Sequence, residues 1–256
     1  MTAVRGPGER NWSAGPYAQA LRTGQGPLFL RRDDGWLLPL DVERWCAGPD
    51  AADLSVLRRC RGAVLDIGCG PGRLVAELSA RGHRVLGIDV SEAAVARAVG
   101  IGARALRRSV FEPLPDEGGW GTALLIDGNI GIGGDPGALL DRAAALLAPG
   151  GLLLAEAAPV DVDERVDVRV EDGRGFGGGP FPWARVGVPA LLRHARASGW
   201  GAVRQWAVAG RPFVALRRHR SSSRTASQSA ESVKRPAVIS SHRVRKPSGS
   251  SVVADA

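Results

Sequence analysis

Cysteine, histidine and lysine are scarce in this chain, and each scarcity closes off a class of chemistry. Cys46, Cys60 and Cys69 form an odd, scattered set without metal-ligand spacing. They predict reduced thiols and no zinc site. The histidines offer no nucleophilic triad: His83 precedes a predicted strand at the wrong end of the sheet, His194 falls in a late helix, and His219 and His242 lie in or beside a C-terminal tail. Long hydrophobic runs are also missing. The longest, around Leu152 to Val160, is broken by Glu156 and Pro159, which excludes a membrane span. The N-terminus shows no apolar signal segment, so a cytoplasmic protein is expected.

Lysine occurs only as Lys234 and Lys246. Both lie in a stretch, residues 219–256, that is rich in Ser, Arg and Pro and holds seven Lys or Arg against Glu231 and Asp255. That stretch carries most of the net charge of +8 and leaves the body at about +3. Its composition predicts a disordered basic tail with a boundary near His219. The nucleic-acid class suggested by the total charge is therefore weakened, because the charge is concentrated in the tail. The 256 residues suffice for one domain of about 200 residues with a sizeable core.

The most informative segment is Val64-Leu-Asp-Ile-Gly-Cys-Gly-Pro-Gly-Arg73. It reads as a buried strand ending at Asp66, a turn with Gly68, Gly70 and Gly72, and the start of a helix. Glycine lets such a turn bring its backbone within contact distance of a ligand. A dinucleotide fingerprint would require a third glycine where Arg73 stands. The carboxylate of Asp66 would also repel a pyrophosphate at the helix N-terminus. A ligand with a cationic end, hydroxyls and no phosphate suits the turn better, and S-adenosylmethionine has that character.

Val64 to Arg73 resembles motif I of the Rossmann-like, class I S-adenosylmethionine-dependent methyltransferases. Further segments fall in register over residues 60–218. Arg84 to Asp89 reads as a second strand, Ala103 to Ser109 as a third, Thr122 to Asp127 as a fourth and Gly151 to Glu156 as a fifth. The fifth follows a Leu147-Ala-Pro-Gly-Gly151 turn. The resemblance implies an α/β fold: a seven-stranded, mostly parallel sheet with an antiparallel last strand and helices on both faces. It implies S-adenosylmethionine as co-substrate, held by Asp66, Gly68, Cys69, Gly70, Gly72, Asp89, Val90, Ser109, Val110 and Asp127, with Asp89 on the ribose hydroxyls. Cys69 is expected to fill space in the turn and not to act as a nucleophile. Many relatives have an aspartate at the end of the third strand; this chain has Ser109 there, or Glu112 if the register slips.

Reading the strand ends gives Asp66, Asp89, Ser109, Asp127 and Glu156 on one rim, where open α/β sheets bind ligands. Methyl transfer from a sulfonium chiefly requires positioning, and a base only where the acceptor must lose a proton. Asp127-Gly-Asn129 is the candidate acceptor segment, with Asp127 as base or hydrogen-bond acceptor and Asn129 orienting the reacting group; a plain glycine-rich turn is the alternative. The pair is similar to that of metal-assisted catechol methyltransferases, but Glu156 is followed by Ala157 and not by the Asn such a site needs, so no metal is expected. An Asn/Asp-Pro-Pro-Tyr/Phe sequence is also absent, which disfavours adenine and glutamine substrates.

Residues 1–60 are expected to form an N-terminal extension or lid, with a hairpin from Leu28 to Leu40 turning at Asp34-Gly35. Residues 61–218 are expected to form the donor-binding domain and 219–256 the tail. Gly173 to Trp183, with Phe176 and Phe181, has the composition of a glycine-hinged lid or an anchored surface loop. A small-molecule acceptor is the leading expectation. The alternatives are a nucleic-acid or protein methyltransferase using the tail, and a noncatalytic S-adenosylmethionine binder. The sequence does not bear on the oligomeric state.

Overall fold

The computed structural model describes residues 15–175 and 177–218. Residues 219–256 and Phe176 lie outside the described residues, and with them the expectations placed on the basic tail and on Phe176. Among the described residues no helix is long and apolar enough to cross a membrane.

Alternation of strands and amphipathic helices builds the larger of two sheets. In chain order its strands are β3 (Val64–Ile67), β4 (Val85–Asp89), β5 (Ala105–Arg107), β6 (Trp120–Leu125), β7 (Leu147–Glu156), β10 (Trp200–Val208) and β11 (Arg211–Arg218). The spatial order is β10-β11-β7-β6-β3-β4-β5. The β3, β4, β5, β6 and β7 ladder is parallel, and β11 runs antiparallel to both β7 and β10. This is the seven-stranded, mostly parallel sheet expected from the sequence. The Leu147 to Gly151 turn is absorbed into β7: pairing jumps from Trp120↔Leu147 to Thr122↔Leu152, so the Pro-Gly-Gly segment bulges out of the ladder.

Helices cover both faces, because the central strands are apolar on both. Helices α3 (Ala51–Leu57), α4 (Arg73–Ala80) and α5 (Glu92–Gly100) bury Val56, Leu74, Leu78 and Ala98 against Val64, Leu124 and Leu154. On the other face, α6 (Pro136–Leu146) and α7 (Val188–Ala197) bury Leu139, Leu140 and Leu191 against Leu65, Leu125 and Leu153. Each fully buried Leu contributes roughly 1.5–3 kcal/mol. The helix starts follow the expected chemistry. Ser91 Oγ accepts from Ala94 N–H at 3.3 Å, and Asp135 Oδ1 accepts from Gly137 N–H at 2.9 Å.

The second sheet is not foreshadowed by any single segment. The expected hairpin forms as β1 (Phe29–Arg31) and β2 (Leu37–Pro39). It then pairs antiparallel with β8 (Asp163–Glu171), which in turn pairs with β9 (Phe181–Val186). Val168, Val170, Phe181 and Trp183 pack there against Leu28, Leu30 and two N-terminal helices, α1 (Pro16–Thr23) and α2 (Val42–Cys46), through Leu21 and Val42. Of the two readings of residues 173–183, a glycine-hinged lid or a surface loop anchored by its aromatics, neither describes the second half, where Phe181–Val186 is a strand. Phe181 and Trp183 are buried on a paired strand, because their apolar area is worth more under the sheet than on a free loop.

Candidate functional site

One cavity of about 540 Å³ lies at the carboxyl ends of the parallel strands, with the small sheet as its roof. The donor-side wall is local in sequence. Gly68 and Gly70 adopt left-handed backbone angles, φ 73° and 53°, and turn the chain sharply from β3 into α4. A Cβ at Gly70 would meet only the Tyr17 hydroxyl, at 3.8 Å, so the space above this glycine is open toward the cavity. Asp89 ends β4 and accepts from Gly70 N–H at 2.9 Å and Ser91 N–H at 2.8 Å. Burial pushes its carboxyl up to about 6, against the lowering effect of these backbone donors.

Of the candidate residues, Gly68, Cys69, Gly70, Asp89, Val90, Ser109, Val110, Asp127 and Asn129 all line this cavity. Asp66 and Gly72 do not. Strand alternation turns Asp66 to the same face as Val64, beneath α4, where it is 2% exposed and its Oδ2 has no hydrogen-bond partner. Burial pushes its carboxyl up to about 7, opposed by the nearby Arg73 and reinforced by Asp127, Asp89 and Asp53. Gly72 serves packing: a Cβ there would lie 2.6 Å from Ala98 Cβ on α5. Cys69 packs its sulfur against Gly87, where a Cβ would approach to 2.7 Å, and burial raises its thiol pKa well above the ordinary value. At the end of β5, Ser109 faces the cavity while Glu112 turns back to accept from Ser109 N–H at 2.8 Å.

The acceptor-side candidates Asn129 and Asp127 are both held by other groups of the chain. Asn129 donates its amide to Ile67 O and Gly68 O, both at 2.9 Å, and so clamps the glycine turn. Both amide N–H groups are engaged by backbone. Asp127 lies beyond the end of β6 at φ 59°. Its Oδ1 meets Arg44 at 2.8 Å and Arg211 at 3.1 Å, and its Oδ2 meets Arg73 at 2.8 Å. Asp127 is thus the ion-pair partner of three guanidiniums.

Asp127 belongs to a wider lattice. Arg211, at the start of β11, grips Glu156 through two bonds of 2.8 Å and reaches Asp50 and Asp53 with its other nitrogen. Arg73 closes on Asp53 with bonds of 2.9 and 3.0 Å. Glu156 also accepts from Asp127 N–H at 2.8 Å. Asp53 is wholly buried, and burial works to raise its pKa, but Arg73 and Arg211 outweigh it and hold the carboxyl below its usual value. Arg73, which entered the sequence analysis only as an absent glycine, is therefore central. Arg44, Arg211 and Asp53 were not singled out. Nothing local marks them, since their partners come from elements up to 161 residues apart.

Phe181 and Trp183 from the roof strand β9, Trp45 from α2 and Phe111 from the loop after β5 line the cavity as an aromatic wall. The glycine-rich segment after Asp127 admits it. A Cβ on Gly131 would lie 2.7 Å from the Trp183 ring, and one on Gly133 would lie 2.8 Å from Phe111. Tyr17 from α1 stands between the glycine turn and Trp45, its ring at 65° to the indole. Its phenol pKa is raised well above normal, first by burial and then by the charge of Asp89.

Known proteins bear this architecture out. Residues 43–177, more than half of the chain, match the methyltransferase domain family. The fold is similar to that of an S-adenosylmethionine-dependent methyltransferase from Bacteroides fragilis, solved with S-adenosyl-L-homocysteine. The TM-score is 0.66 at 19% identity, over 84% of this chain and 96% of that one. It is also similar to the 1,6-didemethyltoxoflavin-N1-methyltransferase of Burkholderia thailandensis, with TM-score 0.50, 22% identity and coverage of 66% and 77%. A third likeness is to the CcbJ methyltransferase of Streptomyces caelestis, with TM-score 0.51, 16% identity and coverage of 68% and 91%. The chain belongs to the methyltransferase domain family, and its fold is that of the Rossmann-like S-adenosylmethionine-dependent methyltransferases.

Proposed function

We propose that this protein is a methyltransferase that takes its methyl group from S-adenosylmethionine and passes it to a small molecule. The carrying observation is a single cavity with a donor wall of open glycine backbone and a buried carboxylate, facing a roofed aromatic compartment. The residues fit the donor. Gly70 leaves room for close approach, Asp89 offers carboxylate oxygens to hydroxyls, and Val110 and Ser109 flank the end of β5. When bound, the donor supplies a methyl group already activated by its sulfonium. The protein's part is to hold donor and acceptor at near-attack distance and to keep water out.

The small-molecule reading is supported by the size and cover of the cavity. At about 540 Å³ beneath a four-stranded roof, it has the dimensions of a small-ligand pocket and not of a polymer groove. The solved proteins of like fold include the toxoflavin-precursor enzyme, whose acceptor is likewise a small compound. Titration calorimetry with S-adenosylmethionine and S-adenosylhomocysteine tests the donor assignment: saturable binding with one-to-one stoichiometry is expected, and none would overturn it. Production of S-adenosylhomocysteine from small-molecule extracts, but not from RNA, DNA or protein, tests the acceptor class.

A further inference from the structure

The glycine turn after β3 is held by different means on its two sides. Toward β4 the ladder runs to its end. β3 pairs with β4 as far as Ile67↔Ile88, and Gly68 N–H and Cys69 N–H then both donate to Ile88 O at 2.9 Å. Toward β6 the ladder stops a residue earlier, at Asp66↔Leu124. There the chain leaves β6 and turns away at Asp127 and Gly128, both in left-handed backbone angles. The carbonyls of Ile67 and Gly68, just past that point, are taken by a side chain, the Asn129 amide, at 2.9 Å each. Asn129 thus supplies the donors that the sheet no longer provides.

The fit is close. Gly68 stands at φ 73°, and a Cβ there would lie 2.6 Å from Asn129 Nδ2, so the amide rests directly on the bare backbone of the turn. Reversing the amide would set Oδ1 against two carbonyl oxygens, which fixes its orientation. The other end of the same segment meets the aromatic wall. Asn129–Gly131 form a single 3-10 turn, and Gly131 packs on the Trp183 ring, where a Cβ would approach to 2.7 Å. Ile132 then pairs with Trp183 in an isolated antiparallel bridge. Residues 129–132 therefore bridge the donor turn and the roof strand β9.

Resting on the donor assignment above, we propose that Asn129 is a positioning residue for methyl transfer: its amide holds the glycine turn in the conformation that receives S-adenosylmethionine and sets that turn at a fixed place against the aromatic wall. The role is exercised through Gly68, which lines the cavity together with Cys69 and Gly70. A turn ordered in advance spares the donor the cost of ordering it on binding.

The test uses the full chain and S-adenosylhomocysteine, with affinity from titration calorimetry and the melting temperature measured beside it. Asn129→Ala removes both donors and should raise the dissociation constant by about tenfold or more, the scale of two lost hydrogen bonds. Asn129→Asp separates bonding from shape. Ionised, its carboxylate faces two carbonyl oxygens and should bind the ligand worse than Asn129→Ala does; protonated, it donates one bond back. The ratio of its dissociation constant to that of the wild type should therefore fall by about threefold or more between about pH 8 and pH 5, while the ratio for Asn129→Ala stays level. The surrounding groups Tyr17, Asp66, Cys69, Asp89, Asp127 and Glu156 are common to all three proteins, so the ratios isolate position 129.

An affinity of Asn129→Ala within about twofold of the wild type, even at a lowered melting temperature, would make the residue merely structural and overturn the proposal. A ratio for Asn129→Asp that does not move with pH would overturn it as well. Should Asn129→Ala not fold, the pH profile of Asn129→Asp carries the test alone. Failure of the wild type to bind S-adenosylhomocysteine would bring down the donor assignment too, and the wild-type titration makes that case distinct.

Discussion

The donor wall and the acceptor roof of this cavity are built in opposite ways. The donor wall comes from two strand ends and a turn, Ile67 to Pro71 and Ile88 to Val90, each a run of consecutive residues. The roof joins a hairpin near the N-terminus to two strands from the other half of the chain, and the lattice beneath it ties Arg44, Arg73 and Arg211 to Asp127. A site made of consecutive residues keeps its chemistry in a short motif, whereas one assembled across the fold can be recognised only after the chain has folded.

Four substitutions break this comparison at chosen points, and a fifth sharpens it. Gly70→Val fills the open space above the turn and should abolish S-adenosylmethionine binding in calorimetry, with the circular-dichroism spectrum retained; tight binding would show that the turn does not approach the donor. Asp53→Ala leaves Arg73 and Arg211 without their buried partner and should lower stability by about 3–5 kcal/mol in urea unfolding. Leu30→Ala opens a cavity in the roof and should lower stability by about 2–4 kcal/mol, with donor affinity changed much less than by Gly70→Val. Asp89→Ala should weaken donor binding by roughly 1–3 kcal/mol, the scale of lost hydrogen bonds to a buried charge, and unaltered affinity would contradict its ribose role.

The last effect concerns pH. The Asp66 carboxyl is raised from the ordinary 3.8 to about 7, so the folded state favours its protonated form. Its stabilising contribution is complete below pH 3.8 and is lost as pH rises through about 7. Asp66→Asn should therefore flatten the fall of the melting temperature between those limits. Asp89, raised to about 6, contributes in the same direction and remains in the variant. An unchanged slope would mean that Asp66 ionises freely in the fold.

The sequence made the large sheet legible because its central strands β3, β4, β6 and β7 each carry a short apolar run, several of them ending in an acid and followed by a capped helix. The rim residues from Gly68 to Asp127 could be located for the same reason. Their bonds could not. Asp127 and Asn129 stand where a catalytic pair would stand, and only tertiary contacts reveal that one is held by arginines and the other clamps Gly68. Asp66 shows the same limit. Its position in the motif suggested the rim, while strand alternation turned its side chain under α4. The roof was invisible as a unit because β1 and β8 each look like half of an ordinary hairpin.

The bond between Arg31 and Glu171 across β1 and β8 spans 140 residues. Bringing those strands together carries a loop-closure entropy that the intervening sheet must first reduce by folding. Folding of the residues between them shortens the effective loop that joins the two halves of the roof. During synthesis the N-terminal hairpin leaves the ribosome long before its partner strand exists. The roof is complete only once β8 and β9 have been made, after five strands of the large sheet and before its last two.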